Sequence, residues 1–237
     1  MYYGYGYGYG YGFDWTILLV LVGALISGLA TINVKSTFSK YNKMRNYRGL
    51  TSNQVAEQIL HSAGIYDVRI ERIRGNLTDH YSPKEKVLRL SDAVYGQTSV
   101  AAIGVAAHEC GHAIQHQEEY GPLNLRAASV PLANIGSWVS WPVILIGLLI
   151  GSTPLAQFGI FLFAFVVFFQ LITLPVEFDA SARALRILDQ YNILEGQEHA
   201  GAKKVLKAAA LTYVAALFTT ILQLARLVLI VNSRSRD

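Results

Sequence analysis

Polar and apolar positions along this chain do not alternate evenly; they fall into long blocks. Asp14 and Lys35 bracket the first, the twenty uncharged residues WTILLVLVGALISGLATINV. As a helix this block would extend about 30 Å, one bilayer crossing. From Ala127 to Val176 fifty consecutive residues carry no charge. A single helix of that length would reach about 75 Å, more than twice the hydrocarbon thickness, so the block must fold back on itself. GSTP at 151–154 is the expected turn, because Gly and Pro interrupt the pattern while Ser and Thr satisfy backbone groups near an interface. That predicts a helical hairpin over roughly 128–150 and 155–175. Ala208 to Ala225 is a further uncharged block of eighteen residues, followed by Arg226 and LVLIVNS. It reads either as a fourth span with Arg226 snorkelling to an interface or as a helix packed against the other three.

Between the blocks the pattern is that of a small mixed domain. TSNQVAEQILHSAG at 51–64 predicts a short helix, with Thr51 and Gln54 as a capping box and Gly64 at the C-terminal end. DVRIERI, LTDHY and KVLRLS have strand character, the last two joined by the turn SPKE. Thr98 then caps a long helix, SVAAIGVAAHECGHAIQHQEE, whose alanines and Gly104 permit close packing. The first twelve residues, MYYGYGYGYGYG, are a Tyr-Gly repeat with nothing periodic to bury, expected to be disordered or interfacial.

Composition agrees with a membrane protein: 52% of residues are hydrophobic, and mean hydropathy is +0.32. No Lys or Arg precedes Lys35, which argues for a retained anchor rather than a cleavable signal peptide. A net charge of +4 raises the question of nucleic acid. Topology accounts for it instead: twelve basic residues lie from Lys35 to Arg126 and five from Arg183 to Lys207, with KSTFSKYNKMRNYR directly after the first span. The positive-inside rule puts that flank, and the middle segment, in the cytoplasm. The single Cys110 excludes an intrachain disulfide and fits a reducing compartment.

The helix at 99–119 carries HECGH. Random placement would produce an HExxH pattern about 0.006 times in a chain of this composition, so the match asks for an explanation. His108 and His112, at i and i+4, share a helical face and can both reach one tetrahedral metal ion. Glu109 can reach a water on that metal without being a ligand, taking its proton as general base and delivering it to the leaving amine. Zn2+, one catalytic ion, is the expected cofactor. A core helix with two histidines bonded to backbone is the plainer alternative, but it leaves polar groups on a helix otherwise made of Ala, Val, Ile and Gly.

A catalytic zinc site needs a third protein ligand. The extension HExxHxxGxxH is absent, since Gln115 and Glu118 occupy its Gly and final His positions. His116 lies about 12 Å from His108 along the helix axis, too far to share its metal. Glu177 in LPVEFDASARAL is the better candidate, although Pro175 and an acidic residue also suit a helix start. Two spans separate it from HECGH, and an even number returns the chain to the side it left. Cys110 points away from the ligand face and reads as a packing residue. For the oxyanion stabiliser, Tyr213 and His80 are the named options; the strand around LTDHY could also bind substrate as an added strand.

HECGH together with KSTFSKYNKMRNYRGLTSNQVAEQIL, DHYSPKEKVLRLS, VPLANIGS, EFDASARAL and GAKKVLKAAALTYVAA resembles the YugP-like neutral zinc metallopeptidases of bacterial membranes, over about residues 30–230. More distantly, two spans between HExxH and a Glu resemble gluzincin membrane proteases of the HtpX and CAAX prenyl protease type. There, ExxxD supplies the zinc-binding Glu and an Asp that hydrogen-bonds a ligand histidine. This chain has Ser181 in the Asp place, a weaker acceptor, while Asp179 points to a different helical face.

The expectation is a multi-pass α-helical membrane protein with a small α+β zincin-like metallopeptidase domain. Its parts are a tail at 1–13, a span at 14–34, the zincin-like domain at 35–126 and the transmembrane hairpin at 127–176. A third-ligand helix and loop at 177–207, a possible fourth span at 208–231 and a tail at 232–237 complete it. The expected function is a zinc-dependent endopeptidase of the bacterial cell membrane with its catalytic domain in the cytoplasm. Its partners are a membrane-associated peptide or protein substrate and the lipid bilayer, with no nucleic acid. Expected metal ligands are His108, His112 and Glu177, Glu109 is the base, and Ser181 and Asp179 support the ligands from behind. The alternative is a catalytically silent zinc-binding scaffold, in which a fourth side chain such as His80 or Asp79 closes the site. Transport is weaker, because the uncharged hairpin holds no acidic or basic pair to mark an ion path.

Overall fold

The computed structural model describes residues 14–234. The Tyr-Gly repeat lies outside them. Nine elements follow in order: α1 (Ile17–Asn42), α2 (Ser52–Ser62), β1 (Arg69–Ile73), β2 (His80–Ser82), β3 (Val87–Ser91), α3 (Val100–Gln117), α4 (Gly121–Leu149), α5 (Thr153–Gln190) and α6 (Gly196–Arg234). Helices α1, α4, α5 and α6 are long and apolar enough to cross a membrane. The described residues are mostly helical, with one small sheet.

The hairpin turns where the sequence breaks. Helix α4 ends at Leu149, Gly151 takes φ +70°, and α5 begins at Thr153. Small residues let the two arms touch: a Cβ on Gly136 would lie 2.5 Å from the Leu162 carbonyl oxygen, closer than any side chain tolerates. Pro131, Pro142 and Pro175 lie inside these helices without ending them. Each removes one backbone hydrogen bond, which a helix tolerates when its neighbours hold it in place.

The expected helix start near Pro175 is therefore absent. With 38 residues, α5 is about 57 Å long, well beyond one bilayer thickness. It runs unbroken past Pro175 and delivers Glu177 from its own interior.

The small domain gathers at the other end of these helices. Thr51 and Gln54 form the reciprocal capping box of α2, and Gly64 follows at φ +74°. The sheet has the order β1-β3-β2, with β1 parallel and β2 antiparallel to the central β3. Strand β2 begins at His80, later than LTDHY suggests, because Leu77 sits at φ +56° and breaks the extended run. Ser99 caps α3 instead of Thr98: its hydroxyl accepts from the Ala102 amide, whereas the Thr98 carbonyl is taken by Asn46. Leu88, Leu90, Ile59, Ile103, Leu188 and Leu206 form one buried core between sheet, α2, α3 and the near ends of α5 and α6. Helix α3 lies in its middle, so HECGH is held on several sides.

Candidate metal centre

Helix α3 supplies two imidazoles and α5 a carboxylate. The Nε2 atoms of His108 and His112 lie 3.3 and 3.6 Å from Glu177 Oε2. One ligand atom from each residue lies within 4.8 Å of the others. Ligands placed tetrahedrally about 2.0–2.1 Å from zinc stand about 3.3 Å apart, so these separations are those of a ligand edge.

The donors also want an ion. Glu177 Oε2 is buried with no hydrogen-bond partner, while Oε1 accepts from Arg126 Nη1 at 3.2 Å. A buried carboxylate oxygen left without a donor is costly, and a cation among the three side chains would satisfy it. The residues therefore fit zinc: two imidazoles, one carboxylate and a position open to the cavity.

Gly111 explains how α5 comes so close. A Cβ there would lie 2.5 Å from the Ala180 carbonyl oxygen, so the glycine between the two histidines is where α3 and α5 touch. A larger residue would push the carboxylate away.

Both histidines are oriented from behind. Ser181 Oγ lies 3.1 Å from His108 Nδ1, and Gln115 Oε1 lies 2.9 Å from His112 Nδ1. Asp179 does not touch a histidine; it accepts from Gln115 Nε2 at 2.8 Å and from Arg183 Nε. Burial opposes a charge on His112, but the nearby Glu177 and Glu109 carboxylates and the bond to Gln115 outweigh it and raise its pKa above the ordinary imidazole value.

Two cavities meet at the cluster. One of about 290 Å³ has His80, Tyr81, Arg126 and Val130 in its wall. The other, of about 260 Å³, is more apolar, with Val34, Leu77, Val105 and Leu206. Asp79, His108, Glu109, Glu177 and Tyr213 line both. Tyr213 and His80, the two residues named for oxyanion stabilisation, thus both face the cavity, with Tyr213 at the junction.

Other sequence candidates are placed elsewhere. His116 Nδ1 pairs with the Tyr81 hydroxyl at 2.9 Å, away from the cluster. Cys110 is fully buried against the Ala56 carbonyl, and burial pushes its thiol up. Asp79 receives the Ser91 amide at 2.7 Å and the Ser91 hydroxyl at 2.9 Å. Burial drives its carboxyl above the usual range, the Ser91 bonds pull against that, and Glu109 adds to the rise. Gln115 and Arg126 are the site residues that sequence reasoning passed over. One signal for Gln115 was available: His108, His112 and Gln115 stand at i, i+4 and i+7 on one face of an otherwise apolar helix.

The comparisons agree with this chemistry. A family model described as "Putative neutral zinc metallopeptidase" matches residues 16–232. A protein of Bacillus subtilis (strain 168) called "Putative membrane protease YugP" is 47% identical over 222 residues, covering 93% of this chain and 99% of that one. No solved structure matches. With nearly the whole chain matched by the model and by a relative of this identity, the protein belongs to the family described as "Putative neutral zinc metallopeptidase".

Proposed function

We propose that this chain is a membrane-embedded, zinc-dependent endopeptidase that hydrolyses peptide bonds in membrane or membrane-proximal proteins. The observation that carries the reading is the meeting of His108, His112 and the orphaned Glu177 oxygen at ligand-edge separations, at the junction of two cavities. Zinc held there by His108, His112 and Glu177 would supply Lewis acidity, lowering the pKa of a bound water towards neutrality and polarising a scissile carbonyl.

The chain's own residues do the rest. Glu109 lines both cavities beside the cluster and is the general base, accepting a proton from the attacking water and passing it to the departing amine. Tyr213 offers a hydroxyl donor to the carbonyl oxygen as charge builds on it. Arg126 holds the outer oxygen of Glu177 and leaves the inner one for the metal. Strand β2 is an edge of the sheet, and His80 and Tyr81 on it reach the first cavity. An extended substrate adding to that edge would lie across the cluster.

Asp79 has both oxygens on Ser91, and His80 turns Nδ1 to the Thr78 carbonyl. Neither joins the cluster of three, which favours an open coordination position over the closed site of a scaffold. The basic flank of α1 and the small domain share one end of the helices, which under the positive-inside rule is the cytoplasmic side of the bacterial cell membrane.

Comparative membrane proteomics of cells carrying the wild type or Glu109→Gln tests the reading and identifies substrates together. Substrates accumulate in the variant, whose turnover falls about 10²- to 10⁴-fold while zinc is retained. Unchanged proteolysis in Glu109→Gln would sink the proposal.

A further inference from the structure

We infer that Gln115 is a positioning residue for the metal centre, acting as an amide relay between the Asp179 carboxylate and the His112 imidazole. The inference rests on reading His108, His112 and Glu177 as a zinc site.

The orientation of the Gln115 amide follows from its partners. One end faces two acceptors, the Val176 carbonyl and Asp179 Oδ2, each at 2.8 Å. That end is the NH2 group, since only a donor satisfies both. The oxygen is then the end that lies 2.9 Å from His112 Nδ1. An amide oxygen can only accept, so Nδ1 carries the hydrogen, and His112 Nε2 keeps its lone pair for the metal.

Gln115 is fully buried, so water cannot replace these partners. Its reach is wider than one histidine. Val176 precedes Glu177 in α5, so a single side chain of α3 fixes one ligand and grips the segment that bears another. Asp179 is held in turn by Arg183, whose Nη1 donates to Glu118 at the end of α3. In metal sites generally, a ligand histidine donates its second N–H to a carboxylate, a carbonyl or water. Here the carboxylate stands one amide further back and acts through it. A Gln serving only to pack would be replaced by Met with little change at the metal, which separates the two roles.

The test uses the full chain in detergent. Zinc affinity is measured by chelator competition, and the visible absorption of the Co2+-loaded protein is recorded, for wild type, Gln115→Met and Asp179→Asn. Positioning predicts a zinc affinity about 10- to 100-fold weaker in Gln115→Met with a shifted Co2+ band, and a smaller loss in the same direction in Asp179→Asn. Wild-type affinity and an unchanged Co2+ band in both variants would overturn the relay while leaving the zinc site standing. A wild type that binds no zinc overturns the site itself and the relay with it. Should Gln115→Met not fold, the partly exposed Asp179→Asn decides by the same two readings.

Discussion

A Cβ placed on Gly111 would stand 2.5 Å from the carbonyl oxygen of Ala180. Gly111, the fourth residue of HECGH, is thus the contact point of the two helices that carry the metal-binding side chains. Gly111→Ala forces them apart, and we expect it to destabilise the fold by about 1–3 kcal/mol and to weaken zinc binding. Denaturation of the zinc-free protein and a zinc titration measure the two effects separately. An alanine variant with unaltered stability and affinity would mean that the helices meet elsewhere.

Ser181 carries a second expectation. Its hydroxyl lies 3.1 Å from His108 Nδ1, and with Nε2 turned to the metal Nδ1 carries the hydrogen and the hydroxyl accepts it. Ser181→Ala removes the acceptor and adds no bulk, so zinc affinity should fall about tenfold at unchanged stability. Chelator competition reads the change directly.

Asp79 makes a pH-dependent prediction for the zinc-free protein. Its folded pKa is raised, chiefly by burial, so folding disfavours the carboxylate relative to the unfolded chain. That cost is complete above the folded pKa. It disappears as pH falls from the folded value towards the unfolded one. Asn at this position keeps an acceptor for the Ser91 amide and can donate to the Ser91 hydroxyl. Asp79→Asn should therefore be more stable than wild type at neutral pH and equal to it in acid. Denaturant midpoints across the pH range test this, and a stability difference that grows in acid would contradict it.

Cys110 should be chemically silent in the folded protein. It has no exposed surface, and its burial raises the thiol pKa, so little thiolate is available. Iodoacetamide at mildly alkaline pH should label it only after unfolding, as read by intact mass. Rapid labelling of the native chain would show that the core around α3 opens.

What the sequence made legible follows from range. HECGH is a local pattern, and so are the capping box of Thr51 and Gln54 and the apolar blocks, because each is set by residues within a few turns of one another. The encounter of Glu177 with the histidines is long-range, yet the count of two crossings anticipated it. The continuity of α5 through Pro175 was hidden, since proline marks a boundary locally and only packing overrides it. The Leu77 turn that delays β2, and the choice of Ser99 over Thr98 as cap, depend on partners far along the chain. Gln115 and Arg126 were hidden for a similar reason. A glutamine in a helix and an arginine before an apolar block are ordinary until another helix brings the groups they hold. Asp179 shows the same limit: its helical face was read as wrong for a histidine, and it reaches one through an intervening amide.

At the proposed centre, His108, His112 and Glu177 together hold one zinc ion. Metal content of the purified full chain, measured by mass spectrometry for wild type and for Glu177→Ala, tests it most directly. One zinc per wild-type chain and a near-complete loss in the variant are expected. No zinc in the wild type, or full zinc in Glu177→Ala, would contradict it.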